Sequence, residues 1–508
     1  MTLGRTLCVA VNGIDGTVVE VEAFTSPGQP AFGIIGLPDS ACRQAPDRIK
    51  AAAANSTLLL PRDKITVNLS PAALTKQGSG YDLAIALAVL ATRKALDPSV
   101  IRDIVHLGEL GLDGMLRPVA GVLPAVLAAR DHGVSAVVVP VGNAREASLV
   151  SGIQVVPASS LAQIVERYQC VYKRRPLPPL PDVPAPRKRG DRAVHDMADV
   201  IGQPEARFAI EVAAAGGHNL AMVGPPGAGK TMLAERLVGI LPPLPEETAL
   251  QVTAIHSVLG ALKDGELVRR APFVAPHHGA SMAAMVGGGT QKVRPGAISR
   301  AHGGVLFLDE CPEFSREVLD ALRQPLESGM VEVARSAGYF KYPARFQLIL
   351  ASNPCPCGLG LTRGCRCTAT ILRTYRNKLS GPLMDRVDVQ LQVQAVTKVQ
   401  NAPPQEPSAV IAERVEVARR RQRERWASEG QTTNSSVSGA VLRSGRWRLP
   451  AEVTRPLDHQ LDRGILTLRG YDRCLRLAWT LADLAGADRP QAPHLMQALG
   501  LRSAQEAA

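Results

Sequence analysis

The chain has 508 residues, enough for two to four domains that each bury a core. Its apolar and charged fractions, 45% and 20%, are those of a soluble globular protein, and no uninterrupted apolar run reaches the roughly 18 residues of a membrane span. The formal net charge of +12 suits a polyanionic partner such as nucleic acid, although charge alone is weak grounds for one. Met1 to Leu7 lacks the apolar core and cleavage site of a signal peptide, so a cytoplasmic location is expected, with nine cysteines kept reduced.

Residues 1–172 alternate short apolar strands with helical stretches and predict an α/β domain. Ile65 to Leu69 reads as a strand, Tyr81 to Ala91 as a buried helix, and Val134 to Pro140 as a strand rich in β-branched residues. The segments Lys76 to Asp82, Leu107 to Gly114 and Arg117 to Leu123 resemble the proteolytic domain of Lon-type proteases. That resemblance implies a serine nucleophile activated by a lysine. The matching positions hold Gly80 and Leu123, neither of which can do the chemistry, and Ser79, one place away, would still lack its base. A protease-like fold without protease activity is expected; an unrelated α/β domain is the bland alternative.

Residues 173–195 form a proline-rich, basic linker. Its proline spacing predicts an extended, semi-rigid segment, a hinge or a docking site for a proline-binding module.

The motor is expected over residues 196–398. Val200 and Ile201 are placed to pack on an adenine. Leu220 to Val223 leads into Gly224, Pro225, Pro226, Gly227, Ala228, Gly229, Lys230 and Thr231, and an apolar-periodic run follows: strand, loop, helix. This fits G-x-x-x-x-G-K-[ST]. The glycines let backbone N–H groups close on phosphates, and the helix dipole adds positive potential. Lys230 reaches the β- and γ-phosphates, and the Thr231 hydroxyl ligates magnesium.

Ala275-Pro276-His277-His278 offers two histidines, which strand geometry would turn to opposite faces and away from one shared metal. Gly304 to Leu308 reads as a central strand ending in Asp309 and Glu310. Asp309 can hold magnesium through water, and Glu310 can activate the attacking water. A third strand, Phe346 to Ala351, ends at Ser352-Asn353-Pro354, with Asn353 in reach of the γ-phosphate or the water. Arg386 is a candidate arginine finger for a neighbouring subunit; its plain reading is a salt bridge with Asp385 or Asp388.

Cys355, Cys357, Cys365 and Cys367 put four thiols within thirteen positions, which suggests a structural zinc; an iron–sulfur cluster or free thiols are the alternatives. Pro356, Gly358, Gly360 and Gly364 suit a tight knuckle. The other five cysteines read as packing residues.

Residues 399–508 predict a helical lid. It opens with a basic helix from Ile411 to Trp426, which could face DNA or simply be a solvated face. A long amphipathic helix follows within residues 463–485.

The phosphate loop, Ala275 to His278, Phe307 to Glu310, Asn353 to Gly358 and Ser380 to Arg386 together resemble the ComM/YifB family of magnesium-chelatase-like AAA+ ATPases. The resemblance implies ATP-driven translocation on single-stranded and branched DNA by a hexameric ring, branch migration of recombination intermediates, and support of natural transformation, with recombination proteins as possible partners. It also implies that Arg469 is the second sensor arginine, with Arg473 and Arg476 weaker candidates. Two extra β-hairpins, resembling those of minichromosome-maintenance helicases, are expected at Ala283 to Arg294, with a flexible triple-glycine tip, and at Val331 to Phe346, turning at Ser336-Ala337-Gly338. In a ring their Lys292, Arg294 and Lys341 would meet phosphates in the pore; otherwise the hairpins only stabilise the module. The competing function is a chelatase motor that remodels a protein partner, disfavoured because chelatase subunits resemble only the central module. A nucleotide-gated adaptor without catalysis is disfavoured by Glu310.

Overall fold

The computed structural model describes residues 3–93, 95–185, 195–262, 265–289, 293–335, 338–359, 365–395 and 405–502. At the N-terminus a mixed sheet of seven strands runs in the order Ala31–Ile35, Lys64–Ser70, Asp15–Ser26, Gly4–Asn12, Ile104–His106, Ala136–Pro140 and Gln154–Ala158. Gly4–Asn12 and Asp15–Ser26 form an antiparallel hairpin closed by Gly13, whose φ of +69° only glycine adopts freely. The alternation in Lys64–Ser70 turns Ile65, Val67 and Leu69 inward. The helix Asp82–Ala91 is buried at all ten positions, as its unbroken apolar sequence requires. Its one charged residue, Asp82, takes two hydrogen bonds from Arg48, at 2.6 and 2.8 Å, and one from the Leu110 amide. The predicted strands and helix are present; the opening hairpin was not foreseen.

The sheet within residues 196–398 is parallel throughout. Its order is Phe273–Val274, Val305–Leu308, Gln347–Ser352, Leu220–Val223 and Val389–Gln392. The strand that carries Asn353 at its end therefore lies between the phosphate-loop strand and the Asp309 strand, so all three chemistries reach one edge.

The C-terminal helices Ser408–Trp426, Leu468–Leu484 and Ala492–Arg502 do not form a separate core. Val415, Trp426, Trp479 and Leu495 join Leu220, Phe307 and Ile349 in one apolar cluster. Trp426, Trp447 and Trp479 meet with centroids 4.7 to 6.0 Å apart, contacts worth about 1 kcal/mol each beyond their area. Beneath them lies a buried polar network. His218 pairs with Asp388 at 3.2 Å and with Thr480 at 2.8 Å, Arg473 donates to Asp388, and Arg425 pairs with Asp483. Burial works against the Asp388 carboxylate, but Arg473 and His218 hold its pKa far below the usual range. The arginines of the basic helix are largely committed inside the chain. Arg414 pairs with Glu211 and Glu406, Arg419 donates to the Ala214 carbonyl, Arg423 pairs with Glu416 and Arg425 with Asp483.

The N-terminal domain is docked on the phosphate-loop domain. Gly121 N–H donates to the Ser257 carbonyl at 3.0 Å, and Ala254 of the helix Glu246–Val258 enters the N-terminal core. The first part of the linker folds back, Arg167 donating to the Pro178 carbonyl, while residues 186–194 lie outside the described residues. Among the described residues no helix is long and apolar enough to cross a membrane.

Candidate functional site: a phosphate loop, a strand-end carboxylate pair and a cysteine knuckle

The strand Leu220–Val223 is buried in the sheet and hands the chain to the glycine loop. Gly224 must be glycine because a Cβ there would meet the Val393 carbonyl oxygen at 2.2 Å. Gly227, at φ +75°, faces open space, so the loop is a cradle that a side chain would fill. Gly229, at φ +86°, starts the helix Lys230–Ile240. Lys230 is buried to 8% exposure; its Nζ donates to the carbonyls of Gly224 (2.6 Å) and Pro225 (3.0 Å) and to Asn353 Oδ1 (3.1 Å). Burial lowers its pKa, partly offset by Asp309 and Glu310. Thr231 Oγ1 donates to Asp309 Oδ2 at 2.7 Å. A hydroxyl beside a carboxylate is a hard-oxygen set suited to magnesium, and the amide-lined cradle suits phosphates, so these residues fit a magnesium nucleotide.

Glu310 adopts φ +49°, ψ 42°, a left-handed conformation uncommon outside glycine and asparagine. Its amide donates to Asp309 Oδ1 at 2.9 Å, and its carboxylate lies 3.4 Å from His278 Nδ1. Sequence reasoning missed this partner. It placed His277 and His278 on a strand, facing apart. They lie instead in the loop after Phe273–Val274, with ring centroids 4.1 Å apart. Gln203 was missed as well: its Nε2 donates to the carbonyls of Ala228 and Gln394, both at 2.9 Å, pinning the loop. Val200 is fully buried in the motor core, so of the expected adenine-packing pair only Ile201 keeps accessible surface.

The two candidate arginines are each engaged away from the loop's own contacts. Arg386 pairs with Glu327 and donates to the Pro382 carbonyl, not with Asp385 or Asp388 as its plain reading supposed. Arg469, 73% exposed in the first turn of Leu468–Leu484, lies 3.4 Å from Asp385, the residue next to Arg386. Arg473 and Arg476 are committed inside the core.

The hairpins depart from expectation in detail. Gly287 and Gly288 are paired strand residues, opposite Pro295 and Arg294, not a free tip; Lys292 lies outside the described residues. In the second hairpin Met330–Arg335 pairs with Gly338–Pro343, so Gly338 of the expected turn is a paired strand residue opposite Arg335, while Ser336 and Ala337 lie outside the described residues. Lys341 lies three pairs from the end and forms an ion pair with Glu332 at 3.1 Å. Among the described residues, the exposed cations near the ends are Arg294 and Arg335. The two hairpins meet: a Cβ on Gly288 would lie 3.1 Å from an Arg335 Nη2. The second also rests on the N-terminal domain, where Asn12 donates to the Tyr339 carbonyl at 3.2 Å.

The four cysteine sulfurs all lie within 4.8 Å of one another, a separation that one tetrahedral metal bridges. Cys357 is held down to about 6 by a hydrogen bond from the Leu359 backbone and then by Cys355. Gly360 and Gly364 lie outside the described residues. Four of the other five cysteines are buried, as expected of packing residues.

Three family profiles cover the chain in order: "Subunit ChlI of Mg-chelatase" at residues 21–143, "Magnesium chelatase, subunit ChlI" at 196–401 and "Magnesium chelatase, subunit ChlI C-terminal" at 405–502. The chain is 39% identical to Competence protein ComM of Haemophilus influenzae over 509 residues, covering 99% of this chain and 98% of that protein. It is 38% identical to YifB of Escherichia coli, covering 97% and 96%. The chain belongs to the ComM/YifB family of magnesium-chelatase-like AAA+ ATPases. A more distant relative, the magnesium-chelatase 38 kDa subunit of Rhodobacter capsulatus, is 25% identical over 332 residues, 60% of this chain. Because the profile at 21–143 also bears the chelatase name, the N-terminal domain by itself does not separate ComM/YifB proteins from chelatase subunits; the near-complete coverage does. Membership in the family suggests ATPase activity with ATP and magnesium.

Proposed function

We propose that the protein is an ATP-driven DNA translocase that works as a ring, hexameric by resemblance to its family, and promotes branch migration of recombination intermediates. The observation that carries this reading is the short path from catalytic carboxylate to hairpins. Glu310 contacts His278, and the chain runs from His278 straight into the helix Met282–Val286 and the first hairpin, where Arg294 is exposed. The likeness to a competence protein supports DNA as the track.

In this reading Lys230 and the loop amides bind the β- and γ-phosphates, and Asn353 orients Lys230 and the γ-phosphate. Thr231 and Asp309 would hold magnesium, which supplies charge neutralisation at the phosphates. Glu310 takes a proton from the attacking water, and His278 fixes where that carboxylate points. Arg386 would serve a neighbouring subunit's nucleotide as an arginine finger, and Arg469, held beside Asp385, would act as the second sensor arginine. The four-cysteine knuckle would hold a structural zinc. No proteolysis is proposed: Ser79 donates its hydroxyl hydrogen to Glu109, and the positions expected of the dyad are Gly80 and the fully buried Leu123.

ATP hydrolysis measured with and without branched DNA tests the reading. A clear stimulation is expected. Hydrolysis indifferent to DNA but stimulated by a protein partner would favour a chelatase-type remodelling motor, which the Rhodobacter relative keeps as the second reading.

A further inference from the structure

A cavity of about 220 Å³ lies at the seam between the N-terminal domain and the motor. By the same measure a water needs roughly 10–15 Å³, so the space is large enough for a long side chain or a small organic ligand. Val9, Val11 and Val119 wall it from the N-terminal side, and Phe340 and Tyr342 from the second hairpin. The charge on its lining is one-sided. Glu109 is the one acidic group among the described lining residues, and no lysine, arginine or histidine is among them. Tyr81 and Tyr342, the other ionisable groups there, are pushed upward by burial and stay neutral.

The carboxylate is already oriented. Ser79 donates its hydroxyl hydrogen to Glu109 Oε2, while the nearby guanidinium of Arg48 commits Nε and Nη2 to Asp82. Arg117, opposite Glu109 across the two-stranded ladder, is committed to Asp113 at 2.8 Å, so Asp82 and Asp113 are matched by Arg48 and Arg117 and Glu109 is left as the surplus negative charge. A carboxylate facing an apolar, half-enclosed space is the complement of a cation on a methylene stem: the stem lies on the valines and aromatic rings, and the head meets the carboxylate.

We propose that this cavity binds one alkylammonium or alkylguanidinium group, with Glu109 as its anchor and Phe340 and Tyr342 as part of its wall. The group could be a free amine metabolite or a lysine or arginine side chain of an extended polypeptide. Either would contact the hairpin Met330–Pro343 from its N-terminal side, since Tyr342 is on that hairpin and its hydroxyl donates to the Val293 carbonyl beside the first hairpin. The site is independent of the DNA reading, because it uses none of the nucleotide or hairpin cations.

The test uses the full-length protein and calorimetric titration with two probes: agmatine, and a short acetylated Gly-Arg-Gly peptide with its citrulline counterpart. Two variants accompany it. Glu109→Gln keeps an acceptor for Ser79 and removes the charge. Gly80→Phe plugs the space: a Cβ at Gly80 has Val119 Cγ2 at 4.0 Å as its nearest neighbour, and its φ lies outside the left-handed range. Saturable binding of at least one cationic probe is expected, weakened about tenfold or more by either variant and absent for citrulline. Agmatine alone would identify a free amine, and the peptide alone a polypeptide. Binding of neither probe, or binding that Glu109→Gln and Gly80→Phe leave unchanged, overturns the proposal. A thermal melt and basal ATP hydrolysis, matched to wild type, show that the plugged variant is folded.

Discussion

His278 Nδ1 lies 3.4 Å from Glu310 Oε2, so the carboxylate expected to activate water is tethered to the segment that leads into the first hairpin. The strand-end left-handed turn at Glu310 aims it there. Glu310→Gln should bind ATP and hydrolyse it at least a hundredfold more slowly, of the order that general-base catalysis supplies. His278→Ala should leave nucleotide affinity within about twofold and change kcat, with the larger effect in the presence of DNA. Equal loss with and without DNA would detach the histidine from any coupling role.

Lys230 is held by two loop carbonyls and Asn353, partners that a phosphate would replace. Lys230→Ala should abolish ATP binding. Asn353→Ala should bind ATP and lower kcat, because the asparagine orients rather than anchors. Fluorescent-nucleotide titration beside steady-state hydrolysis separates the two; retained tight binding by the lysine variant would refute the assignment.

For the cysteine knuckle, one zinc per chain is expected in protein purified without added metal, with Cys365→Ser and Cys367→Ser each lowering the content and the melting temperature. Elemental analysis with thiol titration decides the matter. Four freely titratable thiols and no metal would leave the knuckle as a thiol cluster.

At the hairpins, the exposed Arg294 and Arg335 should meet phosphates more than Lys341, which is paired with Glu332. Arg294→Ala with Arg335→Ala should weaken DNA binding on all sequences alike and flatten its salt dependence by a slope of roughly one for each phosphate no longer neutralised. Lys341→Ala should do less. Binding isotherms at several salt concentrations give the slopes, and an unchanged slope in the arginine double variant would move the DNA-binding surface elsewhere.

His106 is fully buried between Thr6 Oγ1, at 2.7 Å, and Tyr168 OH, at 2.5 Å, and burial lowers its pKa from 6.5 to about 3. The folded state therefore binds fewer protons than the unfolded state between those values. Stability is full above pH 6.5 and falls as the pH drops below it, by about 2 kcal/mol on reaching pH 5. Denaturant melts from pH 7 to pH 5 should show this loss, and His106→Gln should show a shallower one. Parallel slopes would exclude His106 as the source.

The geometry of the candidate nucleotide site was legible because its motifs are local in sequence: the glycine loop with Lys230 and Thr231, and the Asp309-Glu310 pair, each sit where a strand ends. The long apolar run at Asp82 to Ala91 announced a buried helix for the same reason. What was hidden depends on contacts between distant segments. Pro276 lacks a ladder N–H and was the one sign in residues 275–278 that the chain has left its strand, but nothing there names Glu310 as the His278 partner. The Lys341 pairing follows from hairpin register, which moves by one residue with the turn. The Arg386 partner, Glu327, is 59 positions away.

The buried ties of Asp388 to His218 and Arg473, together with the apolar cluster shared by Phe307, Trp426 and Trp479, weld the lid to the sheet within one chain. A motor built this way cannot work as a jaw that snaps shut on its own nucleotide. In the proposed ring, its stroke would be a rolling of whole subunits against one another, with the nucleotide as the axle. Variants that loosen the weld should then dissipate that stroke as internal slack while leaving the chemistry of hydrolysis intact.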